Sequence, residues 1–132
     1  MSSTSEAEIR TVIERWAKAV REKDLEAVVA NHVDDIVMFD VPPPVQLRGL
    51  DAYRQAWPAF FDWQRSADGS FDIAALNVTA GEEVAFATAI LQCASKEGRA
   101  KDPTPSLRLT LGLRKQEGRW LIAHEHHSFP LE

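Results

Sequence analysis

The sequence predicts an α+β fold, in which helices from its first half cover one face of an antiparallel sheet formed by its second half. Apolar residues recur at helical spacing in the first half, and from Ala67 onward they follow short strands separated by turn residues. Short turns favour antiparallel neighbours, and sheets of this kind twist. A cavity is therefore expected between the concave face of the sheet and the helices.

Two helices are expected at the start of the chain. Ser5 and Glu8 have the spacing of a capping box, and the apolar stripe that follows them predicts a first helix up to about Glu22. Asp24 is a suitable cap for a second, shorter helix, whose apolar residues give it a buried side. The two helices should form a hairpin.

A short strand and a third helix are expected next. Residues 36–41 are apolar and rich in β-forming types, and the three prolines at 42–44 end this strand because proline offers no ladder donor. Aromatic residues at helical spacing predict a helix over residues 50–63. Pro58 should kink or break that helix near its middle.

Four strands account for the rest of the chain, at 71–80, 83–95, 106–116 and 119–129. In the third of these strands, four leucines alternate with polar or small residues, so the predicted sheet has two chemically different faces. The leucines are Leu107, Leu109, Leu111 and Leu113. The connection at 96–105 is the most mobile segment that the sequence predicts.

Composition and charge exclude several classes of protein. The chain has 15 Lys and Arg against 20 Asp and Glu, a formal charge of −5 with no basic run, which argues against a nucleic-acid partner. No segment approaches the ~18 apolar residues of a membrane span, and the N-terminus lacks the pattern of a signal peptide. Cys93 is the single cysteine, so no internal disulfide is expected. These features predict one soluble, cytoplasmic domain over residues 1–132.

Three stretches of the sequence carry a family resemblance that covers nearly the whole chain. They are AVREKDLEAVVANHVDDIVMFDVPPP, RGLDAYRQAW and GLRKQEGRWLIAHEHHSFP. The sequence resembles the nuclear transport factor 2-like superfamily and, within it, the SnoaL-like and ketosteroid-isomerase-like proteins. The resemblance implies a cone-shaped barrel of three N-terminal helices on a curved, mainly antiparallel sheet, with an apolar pocket and often a homodimer through the sheet. It implies functions from isomerases, dehydratases and cyclases to non-catalytic binders.

Asp40 is the first candidate catalytic residue. It ends the predicted strand and resembles the general-base aspartate of ketosteroid isomerase, which also precedes a proline-containing loop. A carboxylate at the mouth of an apolar pocket would have a raised pKa and could move a proton to and from carbon. The alternative is a strand-end aspartate that binds backbone amides of the turn.

Trp16 and Thr110 are candidate ligand-binding residues by the same resemblance. They occupy the places of the tyrosine and the protonated aspartic acid that hold the enolate oxygen in the isomerase. Neither residue is as acidic as the group it replaces, so the steroid-isomerase reaction itself is not expected. The alternative for Trp16 is a core aromatic residue on the buried stripe of the first helix.

His124 and His126 are two apart on the last predicted strand, so their side chains share one face, while Glu125 and His127 share the other. One interpretation makes this histidine pair a general acid or base that faces Asp40 across the cavity. A second makes the pair metal ligands, and a third makes them hydrogen-bonded structural or interface residues. Because two histidines and one aspartate are a thin ligand set, no metal and no other cofactor is expected.

Further residues are candidates for lining the ligand site. Arg108 alternates with the leucines and shares a face with Thr110, so it could bind a carboxylate or enolate oxygen, unless it is a solvated surface arginine. Aromatic side chains would supply the apolar walls, although aromatic residues at helical spacing are more often part of a core. The aromatic candidates are Phe39, Trp57 and Phe61.

The sequence alone is compatible with three functions. The first is a protein that binds a small apolar or partly polar molecule, with Asp40 as the base in isomerase-, dehydratase- or cyclase-type proton transfer and His126 or His124 assisting. The second is a non-enzymatic ligand-binding or dimerisation module, and the third is a metal-dependent enzyme that uses the two histidines. A homodimer is expected from the resemblance and from a row of leucines or other aliphatic residues on the outward face of the sheet.

Overall fold

The computed structural model describes residues 2–131, which form four helices and one six-stranded sheet. The helices are α1 (Ser2–Glu22), α2 (Leu25–Val29), α3 (Leu50–Ala67) and α4 (Lys96–Lys101). The strands are β1 (His32–Phe39), β2 (Leu47–Arg48), β3 (Asp72–Ala80), β4 (Val84–Gln92), β5 (Leu107–Gln116) and β6 (Arg119–Ser128). The α+β class predicted from the sequence is confirmed. Within residues 2–131, no helix is both long and apolar enough to cross a membrane.

The sheet pairs β1, from the first half of the chain, with β6, the last strand. Its strand order is β2-β1-β6-β5-β4-β3, and all neighbours are antiparallel except β1 and β6, which run parallel. In this parallel pair, Phe39 lies opposite His126. Asp40, which follows Phe39, therefore comes beside the end of β6, where His127 lies.

The predicted helix hairpin begins differently from expectation. The α1 helix starts at Ser2, so Ser5 lies inside the helix and is not its cap. Asp24 does cap α2, because its carboxylate accepts a hydrogen bond from the Ala27 backbone N–H at 3.2 Å.

The expectation of three helices is not confirmed, because the segment predicted as a mobile connection contains α4. The Ser95 hydroxyl caps this helix by accepting from the Gly98 backbone N–H at 2.9 Å. Arg99 then donates to the backbone carbonyls of Asp68 and Ala94 at 2.7 and 2.8 Å, which fastens α4 to the end of α3.

Pro58 does not break α3, so the break, which was one of the two expected effects, is absent. The helix continues for nine residues beyond it, to Ala67. Proline removes the hydrogen bond that the Arg54 carbonyl would otherwise accept within the helix. Since Pro58 lies on the exposed side of α3, water can hydrate that carbonyl, and the helix tolerates the loss.

The two faces of β5 differ as the alternation predicted, and the leucine face points inward. Leu109 and Leu111 are at most 2% exposed beneath the helices, while Arg108 and Thr110 lie on the outer, exposed face. The outward row of apolar residues expected on the sheet is therefore not made of these leucines. The outer face instead exposes three apolar side chains of β4, which are Val84, Phe86 and Ile90.

A β-bulge at Ala123 decides which side chains of β6 point inward. The β5–β6 hairpin turns at Glu117 and Gly118, both with positive φ, and Gln116 lies directly opposite Arg119. This register holds as far as Leu113 opposite Ile122, and the next pair is Gly112 opposite His124. Ala123 is thus the extra residue on β6, and the pairing beyond it is shifted by one position.

The one-residue shift exchanges the faces of the histidine-rich end of β6. Glu125 lies opposite Leu111, and His127 lies opposite Leu109. Without the bulge, the leucines would face His124 and His126 instead. The bulge therefore buries Glu125 and His127 under the helices and leaves His124 and His126 on the outer face.

The two faces of β5 make a stability prediction with a matched control. Leu111→Ala should lower the free energy of unfolding by about 3 kcal/mol, because it opens a cavity in the core. Thr110→Ala, on the neighbouring exposed position, should change it by less than about 0.5 kcal/mol. Guanidinium denaturation of both variants measures the difference. Equal losses would contradict the assignment of the two faces.

Candidate functional site

A fully buried carboxylate, Glu125, lies at the centre of the interior. Its Oε2 accepts a hydrogen bond from His32 Nε2 at 2.7 Å and one from the Tyr53 hydroxyl at 2.6 Å. Its Oε1 accepts from His127 Nε2 at 2.9 Å. These donors come from β1, α3 and β6, so one carboxylate connects three separate elements of the fold.

The hydrogen bonds determine the charges of this cluster. Burial alone would raise the pKa of Glu125, but the hydrogen bonds from His127 and His32 outweigh it and hold that pKa at about 2. Glu125 is therefore an anion at neutral pH. Both ring nitrogens of His32 face acceptors, since Nδ1 lies 2.9 Å from the Ala30 carbonyl oxygen. The Ala30 carbonyl and the Glu125 carboxylate therefore hold the His32 ring from both sides.

Tyr53 extends the cluster to α1. Trp16 donates its indole N–H to the Tyr53 oxygen at 2.9 Å, so the Tyr53 hydroxyl hydrogen is directed to Glu125. Burial and the adjacent Glu125 charge raise the pKa of Tyr53 well above its ordinary value, which keeps it a neutral phenol. The core interpretation of Trp16 is the one that its contacts support.

A partly enclosed cavity of about 270 Å³ lies next to this cluster. Its walls are mainly apolar, and its polar end consists of Asp40 and His127. Burial and the Asp40 charge raise the pKa of Cys93, which also lines the cavity, to about 12, so this cysteine is a thiol. The other lining residues are Val41, Pro42, Ala56, Trp57, Ala59, Phe60, Phe71, Leu107 and Phe129.

His127 lies between two carboxylates. Its Nε2 donates to Glu125, while its Nδ1 is 3.8 Å from Asp40 Oδ1, within ion-pair reach but too long for a hydrogen bond. Burial by itself would lower the pKa of His127, but the hydrogen bond and charge of Glu125 and the charge of Asp40 together raise it. Below this raised pKa, a protonated His127 presents Nδ1–H toward Asp40 and the cavity.

Asp40 makes a turn contact and also lines the cavity. Its Oδ1 accepts from the Val41 backbone N–H at 2.8 Å, which is the turn contact of a strand-end aspartate. Its side chain also lines the cavity and is 28% exposed. The carboxylate is thus oriented by its own turn and accessible to a ligand.

The predicted meeting of Asp40 with His126 on the concave side of the sheet is wrong. The bulge at Ala123 turns His126 outward, where it shares only an open surface groove with Phe39 and Asp40. The Phe39 ring packs edge-on against the rings of His124 and His126, at 4.9 and 5.3 Å between centroids. The histidine that approaches Asp40 inside the cavity is His127.

The other predicted ligand residues divide between the cavity, the core and the outer face. Trp57 lines the cavity as expected, and Phe61 packs behind it in the core, 6.1 Å away between ring centroids. Arg108 donates to the Ser128 hydroxyl at 3.1 Å on the outer face, next to the exposed Thr110. The placement of Arg108 and Thr110 in the pocket is therefore wrong, because the leucines occupy the inner positions of β5.

His124 makes a structural contact, since its Nδ1 donates to the Val37 carbonyl at 2.7 Å. Its ring centroid is 6.4 Å from that of His126. Across residues 2–131, no three histidine, cysteine or acidic side chains converge in a way that could hold a metal ion.

Sequence reasoning missed Glu125, His127, His32 and Tyr53 as site residues. The alternation of β6 did show that Glu125 and His127 share a face. The additional signal was the opposing strand, because an acidic residue opposite a leucine row must be buried and hydrogen-bonded. His32 lies in the connection between the second predicted helix and the first predicted strand, and in the structure it is the first residue of β1.

The buried carboxylate makes a stability prediction. Glu125→Gln should lower the free energy of unfolding at pH 5.5 by about 3 kcal/mol, because His127 would lose its buried counter-ion and His32 and Tyr53 would lose a charged acceptor. Guanidinium denaturation checks the change. Glu14→Gln, at an exposed position of α1, is the matched control and should leave stability within about 0.5 kcal/mol.

The same variant should show a defined pH dependence. Glu125 has a folded-state pKa of about 2 against an ordinary value of 4.5, so its stabilisation is present above pH 4.5 and is lost as pH falls toward 2. The pKa of His127 is raised from 6.5, so its share is present below pH 6.5 and is lost as pH rises through the raised value. The difference between wild type and Glu125→Gln should therefore be largest between pH 4.5 and 6.5. A difference that does not vary with pH would contradict these charges.

Two solved structures of low identity share the fold. A proposed dehydratase of the nuclear transport factor 2-like family from Streptomyces avermitilis is 14% identical, with a TM-score of 0.78 and 100% of both chains covered. A proposed ketosteroid isomerase from Shewanella frigidimarina is 19% identical, with a TM-score of 0.69 over 89% of this chain and 92% of that chain. At these identities, the likeness concerns the fold alone.

Closer relationships define the family. The sequence model of the SnoaL-like domain matches residues 9–132. A nuclear transport factor 2-like protein of unknown function from Pseudomonas putida is 34% identical, with a TM-score of 0.87 over 100% of this chain and 91% of that chain. No curated protein matches by sequence. Fold, sequence model and this relative agree, and the chain belongs to the SnoaL-like domain family within the nuclear transport factor 2-like superfamily.

Proposed function

We propose that this protein is an enzyme that transfers a proton within a small, largely apolar molecule, with Asp40 as the base and His127 as the acid. One observation carries the proposal: the His127 imidazole lies between the buried Glu125 and the cavity carboxylate Asp40. An acid and a base with opposite charges then meet at the polar end of an otherwise apolar cavity. This arrangement suits proton transfer at carbon.

The proposed reaction begins at a carbon next to a carbonyl group. Asp40 removes a proton from that carbon, and the electron pair of the broken C–H bond moves to the carbonyl oxygen. Nδ1–H of His127 donates to the oxygen as its negative charge develops. Return of the proton from Asp40 to a different carbon completes an isomerisation. In a dehydration, His127 instead gives its proton to a departing hydroxyl group, which leaves as water.

Glu125 gives His127 its orientation in this proposal. Its Oε1 holds the Nε2–H side of the ring, so the Nδ1 side is directed at the substrate. The carboxylate also stabilises the imidazolium form, as the buried acid does in a catalytic triad. Because Glu125 is fully buried and has three donors, it is fixed in place before any ligand binds.

The cavity indicates the size and charge of the ligand. A cavity of about 150 Å³ is known to hold benzene, so one of about 270 Å³ suits a fused two-ring compound of about eleven non-hydrogen atoms. Its lining residues include no Lys or Arg, and Asp40 and His127 compensate each other in charge. An uncharged ligand with one carbonyl or hydroxyl group therefore fits best. The free thiol of Cys93 is compatible with a cytoplasmic location.

The geometry argues against the steroid-isomerase reaction itself. The Trp16 N–H is used by Tyr53, and Thr110 lies on the outer face, so neither donates into the cavity. His127 is the donor that the cavity does contain. The chemistry proposed here therefore uses a charged imidazole where the isomerase uses two neutral hydroxyl donors.

Proton abstraction can be tested without knowing the natural substrate. With 2-tetralone as the probe, the protein in D₂O should accelerate exchange of the protons next to the carbonyl, measured by proton NMR. Asp40→Asn should reduce this acceleration at least about 100-fold, and His127→Gln should reduce it by a similar factor. His126→Gln, on the outer face, should leave it unchanged. The rate should also fall as the pH rises through the raised pKa of His127, where this residue loses its proton.

An Asp40→Asn variant with full exchange activity would overturn the role of the base. Saturable binding of 2-tetralone without any exchange would favour the alternative, a non-enzymatic ligand-binding module. Circular dichroism of each variant shows whether the fold is retained, so that a loss of activity can be assigned to chemistry.

A homodimer through the outer sheet face is part of the proposal. That face exposes Phe86, Val84 and Ile90 of β4, which are 53%, 64% and 37% exposed in the single chain. A second copy related by a two-fold axis would cover them. Light scattering should give twice the 14.8 kDa chain mass. Phe86→Asp should shift the mass toward the single chain, whereas Val45→Asp, at an exposed site in the loop after β1, should not.

A further inference from the structure

His32 lies on the far side of Glu125 from the cavity. Its side chain is completely buried, and it donates to Oε2 of the carboxylate whose Oε1 accepts from His127. It is not among the residues that line the cavity, so it does not touch a ligand there. Any effect of His32 on the reaction must therefore pass through Glu125.

Four titratable side chains form a row across the interior. The order is His32, Glu125, His127 and Asp40, with contacts of 2.7, 2.9 and 3.8 Å between successive members. The hydrogen bond from His32 uses part of the Glu125 charge, which leaves less of that charge to stabilise a proton on His127. The contact of His32 with Glu125 therefore opposes the protonation of His127.

Tyr53 and His32 both donate hydrogen bonds to the same oxygen of Glu125. Oε2 accepts from both, while Oε1 is left to His127. The ring of His127 is thus held by Nε2, and Nδ1 is the nitrogen that faces Asp40. Since Glu125 remains an anion, proton exchange between His127 and the cavity takes place at Nδ1.

We propose that His32 is a positioning residue that, through Glu125, sets the pH range over which His127 remains a proton donor, with Tyr53 fixing the carboxylate between them. This proposal rests on the proposed function, because His127 is a donor only if the cavity performs proton transfer. Its natural consequence is that the alkaline limit of the reaction is set by a residue outside the cavity.

The other groups packed around His127 do not account for this effect. Asp40 and Glu125 are the charged groups that face it directly. Cys93, at the end of β4, is a thiol with a pKa of about 12 and stays neutral over the relevant range. The helices α1 and α3 contribute Trp16 and Trp57 rings, at 6.2 and 6.4 Å between centroids, which do not titrate.

His32→Gln is the decisive variant, because glutamine keeps an N–H donor for Glu125 and replaces the imidazole ring, which can carry a proton, by an amide, which cannot. In histidine-labelled protein without ligand, NMR should show the titration midpoint of His127 moving up by about one pH unit. The alkaline limb of 2-tetralone exchange should move up by the same amount. The His127→Gln spectrum assigns the resonance, and His126→Gln is the control that should move neither.

An unchanged His127 midpoint in folded His32→Gln overturns this inference, whatever the activity. A midpoint that moves while the exchange profile stays in place instead contradicts His127 as the proton donor, and so the proposed function. If His32→Gln does not fold, Tyr53→Phe replaces it. Loss of that donor leaves more of the Glu125 charge for His127, so a smaller upward shift is expected, and no shift or a downward one overturns the inference.

Discussion

The buried carboxylate of Glu125 is the interaction on which the rest of the structure depends. An ion without solvent is costly unless it is fully hydrogen-bonded, and here the donors come from His32, Tyr53 and His127. Each donor belongs to an element that must be in place for the ion to be tolerated. The carboxylate therefore fixes α3 and the start of β1 relative to β6, and with them the cavity wall that contains Trp57.

A single extra residue makes this burial possible. The bulge at Ala123 changes which alternate side chains of β6 face the helices, and so it brings Glu125 and His127 under α1 and α3. The same shift moves His124 and His126 to the outer face, beside Phe39. One strand thus supplies the polar interior of the protein on one side and a histidine-bearing surface on the other.

The fold is shared with other proteins, whereas the side chains of the site are particular to this chain. The sheet and helices are shared with structures named as a proposed dehydratase and a proposed isomerase, whose low identity shows the architecture and no more. What distinguishes this chain is the arrangement at the end of its cavity, where Asp40 and His127 meet and Glu125 supports the histidine. The functional proposal therefore depends on these side chains and on the apolar walls around them.

The sequence by itself determined the α+β class, the alternating faces of β5, the cap at Asp24 and the candidacy of Asp40, because these depend on local periodicity and chain order. It also showed that Glu125 and His127 share a face. Only the tertiary structure decided which face points inward, since a bulge shifts the register by one residue and leaves no mark in the alternation of a single strand. The roles of His32 and Tyr53 were likewise decided there, because they depend on contacts between residues 72 to 93 positions apart in the chain.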